Sequence, residues 1–128
     1  YLSDNRVSDV SAVSGLSKIW SLYLADNKVE NISPIANLKG LSNLDLEGNA
    51  VKDVSPLEGL TELSWTFLNR NQVEDIGPLV RMADKDNSGD KRFAPYWNLY
   101  LGENPLDDKS QSQHLAELKK IGVGLNMD

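Results

Sequence analysis

The stretch LDLEGNAVKDVSPLEGLTEL, residues 44–63, decides the fold. It opens on an L-x-L alternation, Leu44 and Leu46, which describes a short strand with one face turned inward. Asn49 follows, and then aliphatic residues at Val51, Val54, Leu57 and Leu60, with Pro56 among them. Outward in both directions the pattern returns at a spacing of 22 residues, marked by Asn5, Asn27, Asn49 and Asn71. Three residues before these stand Leu2, Leu24, Leu46 and Leu68; two after stand Val7, Val29, Val51 and Val73. Pro34, Pro56 and Pro78 hold one further place, with Ala12 in the first unit. A fifth unit, with Leu99, Leu101 and Asn104, is displaced by an insertion.

The spacing has a physical reading. The strand turns at the asparagine, whose amide both donates to and accepts from backbone groups that a bend inside a stack would leave unpaired. Proline on the return side suits a bend or a 3₁₀ segment and refuses a ladder. No unit can bury its own apolar face, so the units must stack into one continuous core.

This unit resembles the leucine-rich repeat of internalin-type bacterial proteins, over residues 1 to about 106. The resemblance implies an α/β-type solenoid: a right-handed superhelix with short parallel strands on its concave face, a 3₁₀ or irregular convex side and a C-terminal helical cap. Residues 1–106 are then the solenoid of about five repeats, interrupted at 83–95, and 107–128 are the cap. The motif is specific for fold and poorly specific for function, which sits in the variable positions. The compartment stays open, with an extracellular or cell-surface setting favoured.

Two places depart from the pattern. Thr66 stands where the repeat wants an inward leucine, so the core there is slightly polar or Trp65 and Phe67 shift to compensate. Between Met82 and Tyr96 lie 13 residues where the repeat allows 2, an insertion of 11. It contains Asp84, Asp86, Ser88, Gly89 and Asp90, which resemble the first half of a calcium-binding EF-hand loop. The glutamate that should close such a loop is replaced by Pro95, and no helices clearly flank it, so a solvated polar turn at N-S-G is the competing reading. No metal is assigned beyond this weak calcium candidate (Asp84, Asp86, Ser88, Asp90), and no cofactor is expected.

After Asn104 the periodicity changes. Leu115, Leu118 and Ile121 recur at helical spacing, Ser110 or Ser112 is placed to start the helix, and Gly122 to stop it. At the other end Tyr1 enters in mid-repeat. This suggests a fragment of a longer chain, or a first rung partly exposed or paired with another copy.

The outward strand positions lie six, four and two residues before each asparagine. They bring Tyr1, Tyr23, Asp45, Phe67 and Tyr100 into one column, Trp65 and Asn98 into the next, and Glu47 and Asn69 into the third. Five of the chain's nine aromatic residues share two adjacent columns, and exposed contiguous aromatics mark contact surfaces. Asp45 and Glu47 interrupt them and are placed to receive a basic group. Trp20 and Trp97 fall one position further out, at the strand starts. Aromatic laddering that merely stabilises the sheet is the competing reading. Five strands about 4.8 Å apart and three columns give a footprint of roughly 330 Å², below the roughly 800 Å² per partner of a standard protein interface. The flanks or further repeats then contribute, or the ligand is a peptide or a glycan.

Net charge of −6 and a pI of about 4.7 argue against nucleic acid, which wants a basic stripe. No stretch is apolar enough to span a bilayer. The absence of cysteine excludes disulfides and thiolate metal sites. No hydrolase, phosphate-loop or dinucleotide motif occurs, and the lone His114 reads as a solvent-facing helix residue. Asp9, Asp53 and Asp75 recur with the repeat and read as turn chemistry. Asn31-Ile32-Ser33 fits a glycosylation sequon at what reads as a buried position. The sequence therefore points to a non-catalytic protein- or peptide-binding module, with a carbohydrate-binding module or a structural spacer as alternatives.

Overall fold

The computed structural model describes residues 1–89, 91 and 93–128. Each L-x-L alternation yields a strand of only three residues. β1 (Ser21–Tyr23), β2 (Asn43–Asp45), β3 (Trp65–Phe67) and β4 (Asn98–Tyr100) pair in parallel and in chain order, and β5 (Gly124–Asn126) extends the sheet beyond β4. The register keeps step with the repeat: Leu22, Leu44, Thr66 and Leu99 stand opposite one another, as do Tyr23, Asp45, Phe67 and Tyr100. Residues 1–4 carry the ladder one rung further without forming a strand, through Leu2 N–H to Tyr23 O and Asp4 N–H to Ala25 O, both 2.8 Å. Of the five rungs expected to form strands four do so, and the fifth strand of the sheet comes from 124–126, in the segment expected to be a helical cap.

The inward columns are the core. Leu24, Leu46, Leu68 and Leu101 are fully buried, as are Val29, Val51 and Val73 beyond the asparagines. Between successive coils the asparagines form a ladder. Asn49 Nδ2 donates to Leu46 O in its own coil (3.0 Å) and to Leu24 O in the coil before (2.8 Å), while its Oδ1 accepts from Val29 N (2.9 Å). Asn27, Asn71 and Asn104 repeat this with their own neighbours. Each amide therefore satisfies one orphaned donor and two acceptors, an arrangement worth making because unpaired buried groups are costly. Asn5 is exposed and bonds only to Leu2 O and Ser3 O of its own rung.

On the return side short 3₁₀ segments follow each turn: Ser11–Gly15, Ser33–Asn37 and Ser55–Leu57. Asp9 and Asp53 accept from the backbone N–H groups of Ser11 and Ser55, both at 2.9 Å. Asn31 accepts from Ser33 N at 3.0 Å. Asp75 does the same for Gly77 at 2.8 Å, which bears out the reading of these carboxylates as turn chemistry. Asn31 itself is exposed, so the sequon does not lie at a buried position.

The insertion is not a polar turn alone. The fourth return segment grows into helix α1 (Gly77–Asn87), with Pro78 in its first turn, and the insertion's first five residues complete it. Proline suits that position because its missing N–H has no partner there anyway. The turn at N-S-G ends the helix, with Ser88 as its C-cap. Asp86 then accepts from Phe93 N (3.1 Å) and Ala94 N (2.8 Å), tying the exit of the insertion to the helix. Beyond it Phe93 and Trp97 pack in the core, ring centroids 4.8 Å apart. Trp97, expected at an outward strand start, is fully buried, and its Nε1 donates to Thr66 Oγ1 at 2.9 Å. The polar residue in the core is thus the acceptor that a buried indole requires.

The C-terminal segment is more than a helix. A π-helical turn (Ser110–His114) runs into α2 (Leu115–Ile121), which stops at Gly122 in the left-handed region (φ 107°), and β5 follows. Leu118 is fully buried. The helix start is held by Asp107, whose Oδ1 accepts from Ser110 N (2.8 Å), and not by Ser110 or Ser112. Ser110 is itself fully buried, and its hydroxyl accepts from Ile76 N (3.1 Å) at the head of α1.

Candidate functional site

Because side chains alternate across a strand, the residue between the two inward leucines of each rung faces the hollow. The described aromatic residues of that face fall into two groups. Tyr1 and Tyr23 stack with centroids 4.6 Å apart and planes 3° from parallel. Phe67 and Tyr100 stack at 4.5 Å and 20°, and Trp65 lies 6.3 Å from each of them. Trp65 remains 42% exposed, whereas Tyr23, Phe67 and Tyr100 are half-buried. Trp20, outside the strip, is also exposed.

Asp45 occupies the rung between the two groups. Its Oδ1 accepts from Glu47 N at 3.0 Å. Burial pushes its carboxyl above the usual range, against the lowering effect of that N–H. Beside it the structure assembles an ion cluster that the sequence columns missed. Arg70 Nη2 donates to Glu47 Oε1 and to Asp26 Oδ1, both at 3.0 Å, so one guanidinium spans three rungs. Asp26 and Arg70 each precede a repeat asparagine and adopt positive φ, 55° and 57°, as do Asp4 and Glu103. The corresponding residue between them is Gly48, also at positive φ (71°), where a Cβ would press on the Asp26 carboxylate and crowd the Arg70 guanidinium. The signal was present in the sequence, a charged residue before four of the five asparagines and a glycine before Asn49, but its meaning depended on which neighbour each one reaches.

The other predicted contact residues divide. Asn98 Nδ2 is engaged by Ser64 O at 3.1 Å. Asn69 Oδ1 is buried and has no hydrogen-bond partner among the described residues. In the insertion, Asp84 and Asp86 lie two apart on α1, which points them about 200° from each other around the helix. Asp90 lies outside the described residues. Among the described residues no group of three or more His, Cys, Asp or Glu side chains is placed to hold a metal. His114 is not solvent-facing: its side chain is 13% exposed, and its Nδ1 lies 3.4 Å from Glu117 Oε1. A depression of about 500 Å³ lies off the strip, on the flank, lined by Glu30, Asn31, Lys52, Asp53, Gln72 and Glu74 among others. Lys52 and Glu74 pair across it at 3.1 Å. No described helix is long and apolar enough to cross a membrane.

The coils of equal length, the asparagine ladder between them and the parallel sheet along one face define a leucine-rich repeat solenoid. The family pattern of leucine-rich repeats, in two copies, matches residues 21–59. In its repeat and its fold the chain is similar to leucine-rich repeat proteins of the internalin type. Internalin C2 of Listeria monocytogenes is similar over 99% of this chain, with a TM-score of 0.78 and 29% identity, and the chain covers 50% of that structure. An internalin of the same organism, InlF, superposes over 95% of the chain with a TM-score of 0.76 and 24% identity, and 32% of it is covered. A leucine-rich repeat protein of Leptospira interrogans shares the fold at a TM-score of 0.68 and 16% identity, over 96% of this chain and 35% of its own. The chain thus spans half or less of each of these structures. No curated protein sequence matches it.

Proposed function

We propose that the chain is a non-catalytic binding module that takes an extended peptide or a protein segment on the concave aromatic strip. The leucine-rich repeat fold is in general a protein-binding one. The observation that carries the finer reading is the cluster of Trp65, Phe67 and Tyr100, with an indole still 42% exposed on the sheet face. Laddering alone accounts for the Phe67–Tyr100 stack, but it gives no reason to keep a tryptophan beside the stack in solvent. Large rigid aromatics of this kind carry most of the energy in protein contacts. The stacked ring faces turn along the sheet and present their edges to the hollow, which suits a peptide better than a sugar ring laid flat. As part of the same reading, residues 107–128 cover the last coil, with β5 continuing the sheet.

Alanine at Tyr23, Trp65 and Phe67 together tests this. Peptides selected on the chain from a random display library should lose binding to the triple variant while its melting temperature changes little. Undiminished capture would move the contact surface off the strip. Hits on a glycan array with no peptide recovered would favour carbohydrate.

A further inference from the structure

The geometry points to a slot for one arginine side chain of the bound segment, between Tyr23 and Phe67 and above Asp45. This rests on the peptide-binding reading and names what that peptide must carry. In the column Tyr1, Tyr23, Asp45, Phe67, Tyr100, four positions hold rings and the middle described one holds a carboxylate. An aspartate side chain is much shorter than a phenol or a phenyl group, so its rung leaves a gap as deep as a ring.

The walls of that gap are ring faces. Tyr23 turns one face to Tyr1 at 4.6 Å, and Phe67 turns one face to Tyr100 at 4.5 Å. Their other faces look toward each other across the Asp45 rung. Two rung spacings separate them, roughly 9.6 Å. A planar cation midway is then about 4.8 Å from each ring, inside the ≈ 6 Å range of a cation–π contact. A guanidinium fits such a slot because it is flat, stacks on aromatic faces and pairs with a carboxylate.

The floor has the right sign. Asp45 uses Oδ1 for the Glu47 N–H, and its second oxygen takes no partner among the described residues. Asp26, Asp45 and Glu47 set three carboxylates against the one guanidinium of Arg70, so the rungs around the slot keep an excess of negative charge. Arg70 does not fill the slot itself, because Asp26 and Glu47 hold it at the edge of the sheet. The partial desolvation of Asp45 strengthens any contact to an incoming cation.

The test uses peptides enriched from a random display library on the intact chain. They should share an arginine. Exchange of that arginine for citrulline, its neutral isostere, should weaken binding about tenfold or more. Asp45→Asn, which keeps the Oδ1 acceptor for Glu47 N, should weaken the parent peptide to the same extent. The citrulline peptide should not distinguish the wild type from Asp45→Asn, since the two changes remove one and the same contact. Enriched peptides without arginine, or two losses that multiply, would overturn the slot; if those peptides still lose binding to the triple alanine variant, the strip stands. Recovery of no peptide, or only of peptides that the triple variant binds as well, would overturn both.

Discussion

Trp97 and Thr66, 31 positions apart, meet in the interior through a single 2.9 Å hydrogen bond between indole and hydroxyl, both residues fully buried. The threonine that breaks the leucine pattern is explained by a tryptophan at the start of the next strand, whose indole turns inward instead of outward. Thr66→Val keeps the shape and leaves the indole N–H unpaired, so it should cost about 1–3 kcal/mol in denaturant unfolding. Trp97→Phe in that background should cost less than in the wild type, because the orphaned donor is removed with it. Equal costs in both backgrounds would show that the bond carries no energy.

The asparagine ladder predicts a contrast between equivalent positions. Asn71→Ala strips two donors and one acceptor from buried backbone groups of two coils and should cost about 3 kcal/mol or more. Asn5→Ala, exposed and bonded only within its own rung, should cost under about 1 kcal/mol. Similar melting shifts for both would mean that the asparagine acts within its turn and not between coils.

Gly48→Ala should destabilise by about 1 kcal/mol or more through its positive φ, and should also break the Arg70–Asp26 contact. Arg70→Ala alone should cost less than Gly48→Ala, since the ion pair is exposed and screened by solvent. Chemical unfolding of both variants distinguishes backbone strain from lost pairing.

Asp45 gives a pH signature. Its folded pKa is raised by burial, so its unfolded form ionises first, and the associated stability is full below the unfolded value of 3.8 and is lost as pH rises through the folded pKa. Asp45→Asn escapes that loss, so it should melt higher than the wild type at neutral pH, with the difference closing under acid. Asp53 runs the other way: the Ser55 hydrogen bonds lower its pKa, so its stabilisation is present above 3.8 and fades as pH falls through the folded value. Thermal melts of Asp45→Asn and Asp53→Asn across pH 2.5–7, each against the wild type, should therefore diverge in opposite senses.

Millimolar calcium should leave the melting temperature unchanged. Asp84 and Asp86 sit on a helix and diverge, and Asp86 already holds Phe93 N and Ala94 N. A calcium-dependent rise would mean that residues 84–87 leave the helix to bind.

What the sequence determined by itself is everything that depends on the period. A spacing of 22 sets which residues point inward, which asparagines turn the chain and which side chains share the concave column, because stacked coils of equal length have only one register. The aromatic column, the asparagine ladder and the aspartate turns were all legible for that reason. The tertiary structure decided whatever lies off the period or between its units. The insertion carries no repeat phase, so helix α1, the burial of Phe93 and Trp97 and the partner of Thr66 were settled only by where the chain could pack. β5 lies beyond α2 and outside the repeat, and it forms because the chain returns there to the free edge of β4. Arg70 reaches Asp26 across two rungs because Gly48 leaves room, a relation between three side chains that no column read singly contains.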